Sequence, residues 1–345
     1  MKTGIVKDRR YLEHKMGAFH PESPQRLQVI YEMLEKEKAL SSLITIAPRP
    51  ASEDEITLIH TKSYFNEIKE TAGKDRVYLD PDTSTSPRSF EAALLAAGGL
   101  LEAADMVMGG KIQNGFALVR PPGHHAETSQ ARGFCIFNNV AVAAQYLIKK
   151  HGLKRILIVD WDLHHGNGTQ NAFYSRRDVL YFSTHQFPHY PGSGFWSEVG
   201  SGNGEGFTVN VPLAPGKTDD DFRFIFRRLL VPIAKAYKPE FILVSAGFDI
   251  FAGDPLGGME VSVQGFGALA AELMGLAGET AGNRLLLTLE GGYNLSGLRD
   301  GVRQVLLVLA GKERPQPDTP AVTGVLEREL APVFKVQKRY WPVNL

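Results

Sequence analysis

Ile156-Leu157-Ile158-Val159 runs directly into Asp160-Trp161-Asp162-Leu163-His164-His165-Gly166-Asn167-Gly168. Four consecutive branched or long apolar residues without alternation read as a strand buried on both faces, as in a parallel sheet. Val179–Phe182, Phe241–Val244 and Leu285–Leu289 read the same way. Helical patterning occupies about Phe90–Met108, Asn138–Lys150, Asp219–Tyr237, Ser262–Ala281 and Leu295–Ala310. Strands alternating with helices predict an α/β fold: a mostly parallel central sheet with helices on both faces.

In open α/β sheets, ligands bind at the carboxyl ends of the strands. Each apolar run here leads into polar, glycine-rich sequence. Phe241–Val244 is followed by Ser245-Ala246-Gly247-Phe248-Asp249, and Leu285–Leu289 by Glu290-Gly291-Gly292-Tyr293. Upstream, Phe116–Val119 leads into Arg120-Pro121-Pro122-Gly123-His124-His125. In extended backbone, Asp160, Asp162 and His164 point to one side. Asp249, at another strand end, is the candidate to complete a ligand set with Asp162 and His164. Two carboxylates and an imidazole without thiolate suit zinc, iron, cobalt or manganese, and leave a coordination position open. His124 and His125 on a rigid turn read as acid/base groups, metal ligands or ordinary loop residues. Gly291 and Gly292 allow close approach of backbone to a ligand. Tyr293 is placed to donate a hydrogen bond to a developing oxyanion.

The bulk properties are those of an ordinary globular chain. Apolar residues make up 43% of the 345 positions and charged residues 22%, which excludes a disordered chain. Lys+Arg and Asp+Glu both number 38, so no basic stripe points to nucleic acid. The lone cysteine, Cys135, excludes an intramolecular disulfide and fits a reducing compartment. With no signal-peptide pattern or membrane-length apolar run, a cytoplasmic location is expected. A single domain over 1–345 is expected, and the Pro-rich stretch Arg314–Pro320 leads into a tail. That tail, 312–345, is expected to dock on the body through Tyr340 and Trp341.

Several longer motifs occur in order. They are His20-Pro21-Glu22-Ser23-Pro24-Gln25-Arg26-Leu27, Arg120-Pro121-Pro122-Gly123-His124-His125 and Gly133-Phe134-Cys135-Ile136-Phe137-Asn138-Asn139. They continue with Asp160 to Gln170, Asp254-Pro255-Leu256-Gly257 and Glu290-Gly291-Gly292-Tyr293. From about His20 to Asn294 the chain resembles the histone deacetylase superfamily. Its nearest subgroup is class II-like bacterial or archaeal histone deacetylases, acetoin-utilisation proteins and acetylpolyamine amidohydrolases. The resemblance implies the three-layer arginase-like fold and an amidohydrolase acting on an N-acetylated amine. It assigns one zinc ion to Asp162, His164 and Asp249, and makes His124 and His125 the tandem histidines beside the reacting water. Tyr293 then polarises the scissile carbonyl. Gly133 and Phe134 line one side of a narrow acyl-amine channel, with Tyr190 opposite, and Gly291 is counted among the substrate contacts. Asp82, in Leu79-Asp80-Pro81-Asp82-Thr83, falls on a substrate-contacting rim loop. A structural potassium ion is implied at Asp160, Ser183 and Thr184, with the backbone of Asp162 and His164.

Family pairing places Asp160 behind His124 and Asn167 behind His125. Asp160 is expected to raise the pKa of His124, whereas uncharged Asn167 leaves His125 nearer its ordinary value. His125 is therefore the expected general base and acid, and His124 an electrostatic stabiliser. Asn167 stands where class I relatives carry Asp. Ile250-Phe251 replaces an Ala-His pair common in relatives, which is expected to alter the wall beyond the metal without removing catalysis. A two-manganese arginase-type hydrolase needs a further carboxylate where Phe251 stands. A non-catalytic acyl-lysine binding module and a structural scaffold are the other readings; the full set of expected catalytic residues argues against the former. The segment 185–206 is short for the insertion that narrows the entrance in polyamine relatives, which favours acetyl-lysine or a similar small amine over acetylpolyamine.

Overall fold

A computed structural model describes residues 2–315 and 324–345. In chain order the strands are β1 (Thr3–Val6), β2 (Ile44–Ile46), β3 (Val77–Tyr78), β4 (Ser84–Thr85) and β5 (Asn114–Ala117). They continue as β6 (Ile156–Asp160), β7 (Val179–Gln186), β8 (Thr208–Leu213), β9 (Phe241–Ala246) and β10 (Leu285–Leu289). Among the described residues, eight of these form one sheet in the order β2-β1-β5-β10-β9-β6-β7-β8. Every neighbouring pair in it is parallel. β3 and β4 form a small antiparallel hairpin.

The four apolar runs are β6, β7, β9 and β10, the inner part of the sheet. All side chains from Ile156 to Val159 are fully buried, as expected for strands covered on both faces. Helices Ser89–Met108 and Asn139–His151 pack together on one side of the sheet. Helices Gln25–Lys36, Val263–Thr280 and Leu295–Leu309 pack together on the other, completing an α/β three-layer arrangement. Asn138 caps the second of these helices by accepting a hydrogen bond from the Ala141 N–H, and Gly152, at φ +69°, ends it in the left-handed region.

One expectation needs adjustment. The helix expected over Asp219–Tyr237 contains a widened turn at Phe226–Leu230, where the Val231 N–H reaches back five residues to the Phe226 carbonyl. Pro232 has no N–H to give, and its ring crowds the preceding turn; the wider turn accommodates it. Of the stretch Arg314–Pro320, residues 316–320 lie outside the described residues. Beyond it, helix Gly324–Gln337 buries Leu330, Val333 and Phe334. Trp341 stands edge-on to Phe207 and donates to the Gly206 carbonyl, while the Tyr340 hydroxyl reaches Glu205.

Candidate active site

The register of the inner strands decides which loops meet. Asp160 pairs with Ser245 across β6 and β9, and Ala246 pairs with Leu289 across β9 and β10. The loops leaving these three strands are then stitched together. The Trp161 indole donates to the Gly247 carbonyl at 2.9 Å, and the Phe248 N–H donates to Gly291 at 3.0 Å.

Asp162, His164 and Asp249 are buried, with ligand atoms all within 4.8 Å of one another. Backbone N–H groups of His164 and Gly291 hold the Asp162 carboxylate, each at 2.8 Å, and that of Leu163 holds Asp249 at 2.9 Å. His164 Nδ1 lies 3.1 Å from both Asp162 Oδ1 and Asp249 Oδ2. One ring proton cannot fully serve two carboxylates, whereas a cation among the three donors serves all of them. Electrostatics agree. Against the cost of burial, Asp162 and Asp249 raise His164 to about 9. Burial and the neighbouring Asp162 charge push Asp249 up to about 7. The donor set fits zinc. Asp160 does not share this cluster. The chain bends after β6, so its carboxylate turns to His124 Nδ1 at 3.1 Å and the Tyr181 hydroxyl at 3.0 Å.

The histidine rings lie with centroids 4.0 Å apart. Burial disfavours charge on His124, but Asp162 and Asp160 overcome it and raise its pKa to about 10. His125 pairs with Asn167 Oδ1 at 2.8 Å. Burial, reinforced by positive charge on His124 and His164, holds its pKa well below the ordinary value. The sequence, read through the partner Asn167 alone, places His125 nearer that value; burial and the two neighbouring imidazoles account for the difference.

These groups open onto a cavity of about 400 Å³ lined by Asp82, His125, Gly133, Phe134, His164, His189, Tyr190, Pro255, Leu256 and Tyr293. Phe134 and Tyr293 meet edge to face at 5.9 Å, and Tyr190 stands perpendicular to His125 at 5.1 Å. Phe134 occupies the left-handed region at φ +69°, unusual for an aromatic residue. Its N–H donates to the Thr83 hydroxyl at 2.9 Å, so the turn between β3 and β4 holds this part of the cavity wall. Gly291 gives its N–H to Asp162 at 2.8 Å, and a Cβ there would meet the Asp162 and Asp249 carboxylates. Of the remaining expected groups, Ser183 pairs in register with Asp160, and its hydroxyl contacts His185 Nδ1 at 2.9 Å. Thr184 Oγ1 is buried without a hydrogen-bond partner.

Sequence reasoning passed over several contributors. Glu290 is fully buried and accepts from the Gly123 N–H at 2.6 Å and the Ser245 hydroxyl at 2.9 Å. Asp254 accepts from the Tyr293 N–H at 2.7 Å and the Asn294 N–H at 2.9 Å. Buried Arg26 donates to the Gly292 and Glu290 carbonyls at 2.7 and 2.5 Å, with its guanidinium 5.1 Å from the Tyr293 ring centre. The signal for all three was their place in quoted motifs; the contacts themselves join positions up to 266 apart.

Residues 20–309 match the family model described as the histone deacetylase domain. A probable deacetylase of Archaeoglobus fulgidus is 39% identical, covering 86% of this chain and 83% of its own length. Histone deacetylase 15 of Arabidopsis thaliana is 40% identical over 99% of this chain, which spans 63% of that protein. The polyamine deacetylase HDAC10 of Danio rerio is 40% identical over 93% of this chain, which spans 49% of it. The crystal structure of the HDA15 HD domain superposes with a TM-score of 0.93 at 38% identity, covering 99% of this chain and 95% of that one.

Proposed function

The chain belongs to the histone deacetylase family, and we propose that it is a zinc-dependent deacetylase hydrolysing the amide of an N-acetylated amine. The observation that carries this reading is the convergence of Asp162, His164 and Asp249 beside a cavity that also presents His125 and Tyr293. Zinc, when bound, supplies a Lewis acid for the carbonyl and acidifies a water.

The chain's own residues do the rest. His125, neutral and tethered at Nδ1, offers Nε2 as the base for the water proton and returns a proton to the leaving amine. His124, carrying charge between Asp160 and Asp162, steadies the negative charge that develops. The Tyr293 hydroxyl, kept protonated by burial, donates to the oxyanion. Gly133, Phe134 and Tyr190 admit an unbranched alkyl-amine stem and exclude water around it. Asp160 and Ser183 in register, with the unpartnered Thr184 hydroxyl, suit a structural potassium ion together with the backbone of Asp162 and His164. We take 1–345 as one deacetylase domain, in the cytoplasm, with the described residues of the tail 312–345 docked on it. No helix among the described residues is long and apolar enough to cross a membrane.

The substrate class we propose is acetyl-lysine or a similar small acylated amine. A polyamine is the second reading, because Asp82 places a carboxylate on the cavity wall and a relative is a polyamine deacetylase. Comparing kcat/KM for an acetyl-lysine peptide with that for acetylated putrescine or spermidine decides between them. A preference of about tenfold or more for the polyamine, equal to about 1.4 kcal/mol, reverses the assignment.

A further inference from the structure

Behind the histidine pair lies a carboxylate that the proposed mechanism leaves unused. Glu127 follows the His124-His125 turn, and its backbone is pinned on both sides. Its N–H donates to the Gln130 carbonyl at 2.9 Å, and its carbonyl lies 2.9 Å from His60 Nδ1. Its side chain reaches helix Asn167–Phe173, where two asparagines one turn apart converge on it. Asn167 Nδ2 donates to Glu127 Oε1 at 2.5 Å, and Asn171 Nδ2 contacts Oε1 and Oε2 at 3.0 and 3.1 Å.

The geometry points to Glu127 as a positioning residue that fixes the orientation of the Asn167 amide and, through it, which nitrogen of His125 carries the proton. An asparagine amide can sit either way round, and its hydrogen-bond partners decide which. Here Nδ2 has two acceptors, Glu127 Oε1 and the His125 carbonyl at 3.3 Å. That leaves Oδ1 facing His125 Nδ1 at 2.8 Å, so Nδ1 must donate and Nε2 is left with its lone pair. The flipped amide would set Oδ1 against the Glu127 carboxylate, acceptor against acceptor. It would also turn Nδ2 towards His125 Nδ1 and drive the ring proton to Nε2, where the ring can no longer accept a proton. Glu127 thus supplies the directionality that an aspartate at position 167, with two equivalent acceptor oxygens, would not need.

This inference rests on the deacetylase reading for its kinetic consequence but not for its structural one, so two measurements separate them. The first is the His125 ring tautomer, read from 15N chemical shifts of the zinc-loaded protein. Wild type is expected to show the proton on Nδ1, and Glu127→Ala to shift the population towards Nε2. The second is kcat and KM on an acetyl-lysine peptide. Glu127→Ala is expected to lower kcat roughly tenfold, the usual scale for losing an outer hydrogen-bond partner, with KM little changed. In the Asn167→Asp background, where Glu127 opposes a like charge, the same substitution is expected to leave kcat unchanged or raise it. An unchanged tautomer overturns the inference, as does an equal loss of kcat in both backgrounds. If wild type turns over no acetylated amine, the deacetylase reading fails, and the tautomer comparison still decides the role of Glu127.

Discussion

Gly291→Ala is a small change with a large predicted effect on metal binding. A Cβ built on Gly291 stands 2.2 Å from Asp249 Oδ2 and 2.7 Å from Asp162 Oδ2. Real Cβ atoms essentially never come closer than 3.0 Å to a neighbour, so the Asp249 oxygen has to retreat by at least about 0.8 Å. The Gly291 N–H that holds Asp162 at 2.8 Å moves with it. Zinc–oxygen bonds are about 2.0–2.2 Å and tolerate deviations of about 0.2 Å, so this displacement removes one carboxylate from coordination and disturbs the other. Loss of an outer hydrogen-bond partner alone costs roughly 10- to 100-fold in metal affinity; Gly291→Ala is expected to reach at least the upper end. Competition with a chromophoric chelator measures this directly, and circular dichroism checks that the variant folds. Gly275, on helix Val263–Thr280, has nothing within 4 Å of a built Cβ. Gly275→Ala is the control: it is expected to bind zinc as wild type does and to gain about 0.5–1 kcal/mol of stability. A folded Gly291→Ala protein with wild-type zinc affinity would refute the assignment of Asp162 and Asp249 as joint ligands.

Tyr293→Phe is expected to lower kcat by roughly 10²–10³ while hydroxamate affinity falls much less; an unchanged kcat removes Tyr293 from the oxyanion role. His125→Ala should nearly abolish turnover and His124→Ala should leave a residual rate, and the reverse order exchanges their roles. For stability, burial lowers the pKa of His60 to about 4. The folded protein keeps it neutral, with the Asn138 N–H donating to Nε2 at 2.9 Å. The unfolded chain takes up the proton near pH 6.5, so stability is lost as pH falls from about 6.5 to about 4 and levels off below. At pH 5 this amounts to about 2 kcal/mol. In urea titrations, His60→Gln should therefore lose less stability between pH 7 and pH 5 than wild type; parallel losses would contradict this account of His60.

The inner sheet was legible because β6, β7, β9 and β10 are buried on both faces and read as unbroken apolar runs. β1 and β2 were not, being four and three residues long. Nor was β8, which lies at the sheet edge and carries Pro212, a residue an edge strand accommodates. In the candidate site, Asp162 and His164 could be read together because only Leu163 separates them. Asp249 was reachable only through its position at another strand end. Glu127, Asp254 and Glu290 could not be paired with their partners from sequence. Each acts on backbone or on an amide brought near by the parallel register, and no local spacing encodes that. The His125 shift is not legible for the same reason: its burial, the approach of His164 from another loop and the charge that Asp162 and Asp160 place on the adjacent His124 all depend on the fold.

The most direct test of the proposed function is acetate release from an acetyl-lysine peptide, followed through stripping and reconstitution of the purified protein with metal. The account predicts one zinc per site, loss of turnover on complete chelation, and its return with zinc, iron or cobalt. Full activity after complete chelation, or two metal ions required in the site, would contradict it.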